Sequence, residues 1–153
     1  MVEPDTIEEW IDDELVESVE RVDTDEDVFR YSIVFDDEIE IRQETEGGPI
    51  IVEANYEFRD ERRTALLADE DLCYTYVTNV VKILNDAPGF YQYFGPNGEV
   101  GVRIGNADVV RIHHRIYPNG ATQQELMGSL TNIVISMISI RDLSDMLYGN
   151  FYD

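Results

Sequence analysis

"VFRYSIVFDDEIEIRQETEGGPIIVEANYEF", residues 28–58, alternates apolar and polar side chains with a period of two over three consecutive segments. Such alternation is typical of strands that bury one face of a sheet and expose the other to water. Turns are expected at Asp36–Asp37 and at Gly47-Gly48-Pro49. The stretch therefore predicts a three-stranded antiparallel meander. Its apolar face would comprise Phe29, Tyr31, Ile33, Phe35, Ile39, Ile41, Ile50, Val52, Ala54, Tyr56 and Phe58.

Helical patterns flank this meander on both sides. Before it, Thr6 and Glu9 have the spacing of a capping box, and a helical stripe of apolar residues then extends to Val19. After it, residues 69–86 carry a second stripe that Pro88-Gly89 ends. Residues 60–68 are expected to form a loop or one weak helical turn.

The remaining chain predicts further strands and a last helix. Residues 89–117 indicate three short strands with turns at Pro96-Asn97-Gly98 and Gly105-Asn106. Thr122 and Glu125 repeat the capping-box spacing at the start of a long helix, for which Gly149 is the expected stop. The order α-βββ-α-βββ-α predicts a single α+β domain over residues 1–153, with an antiparallel sheet packed by helices.

The charge of the chain is strongly unbalanced. It has 33 Asp and Glu residues against 11 Lys and Arg residues, a net charge of −22, and Lys82 is its one lysine. This excess disfavours nucleic acid and anionic membranes as partners. It also predicts a halophilic origin, because molar salt shortens the Debye length to about 3 Å and screens the repulsion between carboxylates. An acidic protein from a mesophile is the alternative.

Other global features indicate where the protein works. Cys73 is the single cysteine, which excludes an internal disulfide and favours the cytoplasm. The acidic start "MVEPDTIEEW" predicts no secretory signal. The apolar run "IVISMISI", residues 133–140, is far shorter than a membrane span of roughly 18 residues, so no membrane association is predicted.

The two histidines, His113 and His114, are adjacent in "RIHHRIYPNG", which is expected to contain a strand over residues 109–116. Neighbouring side chains of a strand point to opposite faces, so the pair cannot converge on one metal ion. His114 is expected to be half-buried in the core. Cys73 lies on the apolar stripe of a helix, and no glycine-rich phosphate loop is present. We therefore predict no metal, no cofactor and no enzymatic activity.

Three segments suggest a relationship. The opening "IEEWIDDE", the strand "PGFYQYF" and the segment "RIYPNGATQQELMGSL", together with the order of elements, resemble an archaeal (haloarchaeal) family of uncharacterised function with a type III secretion chaperone-like fold. The resemblance spans roughly residues 6–148 of the chain. It implies a small homodimeric protein that holds other polypeptides and does not catalyse a reaction.

The distribution of charge points to a partner surface. Residues 1–70 contain 25 acids and 6 bases, whereas residues 71–153 contain 8 acids and 5 bases. A region spared of carboxylates is expected to be covered by a partner, and interfaces favour Tyr and Arg. The predicted partner-binding residues, on the exposed face of the second meander, are Tyr91, Tyr93, Arg103, Arg111, His113 and Arg115. Alternatively, these arginines merely pair with local acids such as Glu99 and Asp108.

Three functions remain open from the sequence. The first is a homodimeric protein- or peptide-binding module that uses the second meander and the helix before it. The second is a binder of an anionic ligand or single-stranded nucleic acid, because aromatic side chains beside cations suit stacked bases. The third is an enzyme of unrecognised type.

Overall fold

The computed structural model describes residues 4–11, 14–35, 37–58, 60–86 and 89–152. Its helices are α1 (Pro4–Trp10), α2 (Asp60–Ala68), α3 (Glu70–Asp86) and α4 (Gln123–Tyr152). Its strands are β1 (Ser18–Arg21), β2 (Phe29–Phe35), β3 (Asp37–Gln43), β4 (Ile50–Glu57), β5 (Phe90–Phe94) and β6 (Val109–Ile116). The strands form one antiparallel sheet in the order β1-β2-β3-β4-β6-β5, which confirms the α+β class.

The first meander has the predicted faces. Strands β2 and β3 pair over seven residues, from Phe29 opposite Gln43 to Phe35 opposite Asp37, and β3 pairs with β4 in turn. Of the predicted apolar face, only Phe35 and Tyr56 are less than fully buried. The period of two therefore identified both the strands and their buried side. Asp36, assigned to the first turn, lies outside the described residues.

The first helix is shorter than predicted, and a strand follows it. Helix α1 ends at Trp10, Leu15 is 53% exposed, and Val19 belongs to β1, where it pairs with Ile33 of β2. Apolar residues at Ile11, Leu15 and Val19 have the spacing of one helix face, which is why the pattern favoured a longer helix. Pairing with the edge of β2 overrides that local pattern. Asp12 and Asp13 are outside the described residues.

Residues 60–68, expected as a loop or a single turn, form helix α2. Its pattern is weak because it buries little more than Leu66, which has no exposed surface. Helix α3 matches the prediction closely and buries Leu72, Tyr76, Val80 and Leu84.

The second meander contains two strands, where three were predicted. Between β5 and β6 the chain returns beside β5 at one isolated bridge, Phe94 opposite Val100, and then forms a short 3-10 helix at Ile104–Asn106. Gly98, which belongs to the first of the predicted turns, and Gly101 both have φ of +79°. Positive φ at two positions so close together bends the chain too tightly for a third regular strand.

The last helix begins as predicted, since the Glu125 backbone N–H donates to Thr122 Oγ1 at 3.2 Å. It continues through Gly149 to Tyr152, so the predicted stop is wrong. Mid-helix glycine weakens a helix by only about 1 kcal/mol relative to alanine, which tertiary packing can offset.

The chain divides into two compact units. Residues 1–54 with 113–134 form the first, and residues 55–112 with 135–153 form the second. Buried side chains of the first unit include Ile7, Tyr31, Ile41 and Leu130, and those of the second include Leu66, Tyr76, Val110 and Ile140. The single domain over residues 1–153 remains a prediction beside this division.

Candidate interaction surface

Strand β5 stands at one end of the strand order and carries no charge. Residues 89–98, "GFYQYFGPNG", lack any acid or base although the chain contains 33 acids. The side chain of Phe90 is 61% exposed, and that of Gln92 is exposed as well. Edge strands in soluble proteins are usually protected by charge, proline or a covering segment, so this composition is unusual for an edge.

Tyr91 and Tyr93 lie on the side of β5 that faces helix α3. The Tyr91 hydroxyl donates to Asn85 Oδ1 of α3 at 3.4 Å, and the two tyrosine rings meet edge-on with centroids 5.8 Å apart. Burial, with the nearby hydroxyls of Tyr91 and Tyr76, raises the pKa of Tyr93 to about 12. Both side chains are half-buried on this side of β5, and their part in binding a partner stays a prediction.

The opposite side of β5 presents phenylalanine beside an arginine. The Arg111 guanidinium lies over the ring of Phe94, 4.5 Å from its centroid, and Arg111 Nε donates to Asn55 Oδ1 at 3.1 Å. Alternation along β5 puts Phe90 and Gln92 on this same side. The predicted site thus retains Arg111 but has phenylalanines in place of tyrosines.

The chain segment after β5 adds one more apolar side chain. Gly95 N–H donates to the Glu99 carbonyl at 2.9 Å, and Gly101 N–H donates to the Tyr93 carbonyl at 3.0 Å. Val100 is therefore directly opposite Phe94 and points to the same side, where it is 60% exposed. We call this surface, comprising Phe90, Gln92, Phe94, Val100 and Arg111, the open-face patch.

The other predicted partner residues are placed separately. Arg103 is exposed, but it precedes the 3-10 helix and belongs to no strand. His113 and Arg115 share the Arg111 side of β6 by alternation, the first half-buried and the second exposed. The local acids have other contacts: Asp108 accepts from Arg63 at 3.2 Å, and Glu99 accepts from Asn97.

The histidines lie on opposite faces of β6, as predicted from the strand. His114 Nδ1 is hydrogen-bonded to Ser129 Oγ of α4, and Ser129 is 2% exposed. His114 is half-buried beside the buried Ile112 and Ile116 on its own face. The described residues hold no group of three or more His, Cys, Asp or Glu that could ligate a metal ion.

A groove is lined by residues of α2 and α3. It has a volume of about 650 Å³ and is lined mainly by apolar atoms of residues such as Leu67, Tyr74 and Val77, with Tyr74 74% exposed. Cys73 lines it and is half-buried. This surface belongs to the helix that the sequence assigned to the interface together with the second meander.

Helix α4 is long and apolar enough to cross a membrane by length and composition. The mean hydropathy of its most apolar window is 1.2, and 44% of that window is buried. A core helix of a soluble protein has the same properties, so this helix is weak evidence for a membrane span.

No protein-family model matches the chain, and no curated protein matches it. The chain is similar to the crystal structure of an uncharacterised protein from Methanothermobacter thermautotrophicus. The TM-score is 0.71 at 16% identity, over 96% of this chain and 97% of that chain. At this identity the likeness shows the fold alone, and its archaeal source agrees with the archaeal part of the resemblance found in the sequence.

Proposed function

We propose that the protein is a non-enzymatic, homodimeric protein- or peptide-binding module with a chaperone-like role in the cytoplasm of a halophilic archaeon. The observation that supports this best is the open-face patch. It places exposed Phe90 and Val100 at an uncharged edge strand of a chain with a net charge of −22. Apolar side chains exposed together at an edge are typical of surfaces that another polypeptide covers.

Charge selects the kind of partner. Carboxylates elsewhere repel another acidic protein, but residues 89–98 contribute none, so a second copy or an uncharged peptide can approach there. An exposed strand edge offers backbone hydrogen bonds, and the neighbouring pockets add selectivity for side chains. The resemblance of the sequence to a family with a type III secretion chaperone-like fold supports a role in holding polypeptides. The observed order differs from the one inferred from the sequence by the addition of β1 and α2 and by two strands, where three were expected, between α3 and α4.

Two measurements test the proposal: the mass of the protein in solution and its binding of an unfolded polypeptide. Light scattering in high salt at micromolar concentration should give the mass of a dimer of the 17.6 kDa chain. Fluorescence anisotropy should then show binding of a labelled, permanently unfolded polypeptide, such as ribonuclease A with reduced and alkylated cysteines, and an excess of a peptide of residues 89–98 should compete. A monomer that binds neither probe contradicts the proposal.

A second candidate is a binder of an anionic ligand or single-stranded nucleic acid. The stacking of Arg111 on Phe94 favours it, because aromatic and guanidinium planes side by side suit bases. The inward position of Tyr91 and Tyr93 removes two of the expected stacking side chains. A shift assay with a short labelled RNA in the same salt separates the two candidates.

A further inference from the structure

The backbone of β5 has two edges with different neighbours. The Phe94 carbonyl accepts from Asp108 N–H at 2.9 Å, which is the edge toward β6. The Tyr93 carbonyl accepts from Gly101 N–H at 3.0 Å on the opposite, outer edge. Since backbone groups alternate along a strand, the N–H and C=O of Tyr91 also point to the outer edge.

This outer edge is covered along only part of its length. Val100 and Gly101 lie beside Phe94 and Tyr93 and occupy the position of a neighbouring strand there. Beside residues 90–92, no strand formed by the described part of the chain follows β5 in the strand order. The edge beside residues 90–92 therefore has no neighbouring strand in the part of the chain that the structure describes.

We infer that the occupant of this edge is β5 of a second copy, antiparallel to the first, about a two-fold axis through Tyr91. The inference rests on the proposed function, whose dimer it specifies. A two-fold contact brings the same surface against itself, so it requires a surface that does not repel itself. Residues 89–98 satisfy this requirement because they are uncharged, whereas the acidic segments of the chain do not.

The covering segment determines the register. An axis through Gln92 would put Tyr91 of the second copy beside Tyr93, where Gly101 already lies. An axis through Phe90 would make Gly89 of the second copy the hydrogen-bonding partner of Tyr91, but Gly89 has φ of +142°, which is not strand geometry. An axis through Tyr91 pairs residues 90–92 of the two copies, brings only Gly89 of the second copy toward Gly101, and uses the outward N–H and C=O of Tyr91 in two reciprocal hydrogen bonds.

Gly89 allows the strand of the second copy to end where the covered part of the edge begins. In the register through Tyr91, the second copy's strand reaches the covered part of the edge at its Gly89. Gly89 has φ of +142°, a conformation that a residue with a side chain rarely adopts, and the chain leaves the strand there. It would approach Gly101, which also lacks a side chain, so the two backbones can come close together.

Side chains on the open face then complete the contact. Phe90 would lie directly opposite Gln92 of the second copy, and the two Phe90 rings would be diagonal neighbours, at about 7–8 Å and within reach of each other. A stable interface buries about 800 Å² per partner, roughly a tenth of the 8888 Å² accessible surface of this chain. Three residues of edge cannot supply that area, so the exposed Phe90 and Val100 must contribute to it.

Cross-linking of cysteine variants tests the register. Cys73→Ser removes the native thiol, and Phe90→Cys and Gln92→Cys are then made separately in that background. Directly opposite residues that do not share hydrogen bonds have Cα atoms about 4.5 Å apart, within the range for a disulfide. With a copper–phenanthroline oxidant, an equilibrated mixture of the two variants should form disulfide-linked dimers severalfold faster than either variant alone.

The other outcomes overturn the inference in distinguishable ways. Fastest cross-linking of Phe90→Cys alone places the axis at residue 90, and fastest cross-linking of Gln92→Cys alone places it at residue 92. No cross-linking of a protein whose mass is that of a dimer excludes the β5 edge but leaves the proposed function in place. A wild-type monomer excludes both the register and the homodimer.

Discussion

Strands β1 and β5 stand at the two ends of the strand order, and they differ in charge, length and exposure of apolar groups. Strand β1 has four residues, two of them charged, and the surrounding segment 14–27 contains seven acids and one base. Strand β5 has five residues, none charged, and exposes Phe90. A short, charged edge resists pairing with another chain, whereas an uncharged aromatic edge invites it. Among the described strands, β5 is thus the edge that lacks charged side chains.

The open face shows the same contrast. In the first meander Arg42 contacts Glu40 at 2.9 Å, Glu44 at 3.1 Å and Glu53 at 3.0 Å, so its polar side is covered by ion pairs. Arg42 and Glu53 are each 15% exposed, so this cluster of ion pairs is partly buried. Beside β5 the corresponding side carries phenylalanine, valine and one stacked arginine. The polar side of the first meander is thus charged, whereas the side of β5 that carries Phe94 is mainly apolar.

The largest expected effect is the loss of self-association when β5 is given a charged side chain like those of β1. Phe90→Asp gives this edge the charge that protects β1, and it places two carboxylates close together in a two-fold contact. Truncation of a central aromatic residue costs on the order of 3 kcal/mol, so the dimer dissociation constant should rise roughly a hundredfold. Sedimentation equilibrium in high salt measures the change.

Leu15→Asp is the matched control, because Leu15 is 53% exposed but lies near β1. It should leave the dimer dissociation constant unchanged. Equal weakening by both variants would show that general acidity, and not the β5 edge, controls association. Tyr93→Asp is a poor probe of the interface, since Tyr93 packs toward α3 and its substitution would damage the core.

The next effect concerns β6, which holds β5 in the sheet. His114→Ala removes a half-buried ring and leaves the buried Ser129 hydroxyl without this bond, so we expect a loss of about 1–3 kcal/mol in the free energy of unfolding. His113→Ala, on the other side of the same strand, should cost less than His114→Ala, because His113 does not share the face that carries the buried Ile112 and Ile116. Urea denaturation of the two variants measures both. Equal losses would refute the assignment of the two faces.

The fold was predictable where local pattern and tertiary pairing agree. The period of two in residues 28–58 fixed β2, β3 and β4 and their buried side, since one face is fully covered. Strand β1 was missed because four residues with one half-buried valine have too little alternation to outweigh a helical spacing. Helix α2 was missed because its weak apolar stripe does not reveal its tertiary packing.

The candidate site was only partly predictable. In "FYQYF" both faces are aromatic, so alternation alone cannot decide whether the tyrosines or the phenylalanines point to the core. The position of Asn85 on α3, which accepts from Tyr91, decides it in the structure. An exposed phenylalanine has no polar atom that water can hydrogen-bond, so phenylalanines on the outer side of β5 are more easily explained if an interface covers them. Arg111 lies over Phe94 on this surface, and its part in binding a partner stays a prediction.

A smaller effect is expected from salt, which should stabilise the acidic region around β1 and not the uncharged strand β5. The repulsion between carboxylates around β1 is screened at high ionic strength, so the melting temperature should be higher in about 2 M than in about 0.1 M potassium chloride. About 1 kcal/mol of screening corresponds to roughly 4 °C for a chain of this size. Glu20→Gln with Glu26→Gln should reduce the difference, whereas Gln92→Ser in β5 should not. A melting temperature that does not rise with salt contradicts the halophilic origin.

The smallest effect separates the inner side of β5 from its outer edge. The Tyr93 hydroxyl is buried and has no hydrogen-bond partner among the described residues. Tyr93→Phe should therefore leave the free energy of unfolding at neutral pH unchanged or raise it by up to about 1 kcal/mol, and it should not alter the dimer. Tyr76→Phe is the control, because the Tyr76 hydroxyl interacts with Ser144, and it should cost about 1 kcal/mol.

Alkaline titration provides a second readout for the same pair of variants. Burial raises the pKa of Tyr76 and Tyr93 to about 12, against about 10 in an unfolded chain. Between these values the unfolded state loses its phenol protons while the folded state keeps them, so stability must fall as the pH rises from about 10 to about 12. Each Tyr→Phe variant removes one of these groups and should make the fall less steep. If Tyr93→Phe leaves the slope unchanged, its phenol already ionises freely at the edge, and the inward orientation of Tyr93 on which the outward position of Phe90 depends is wrong.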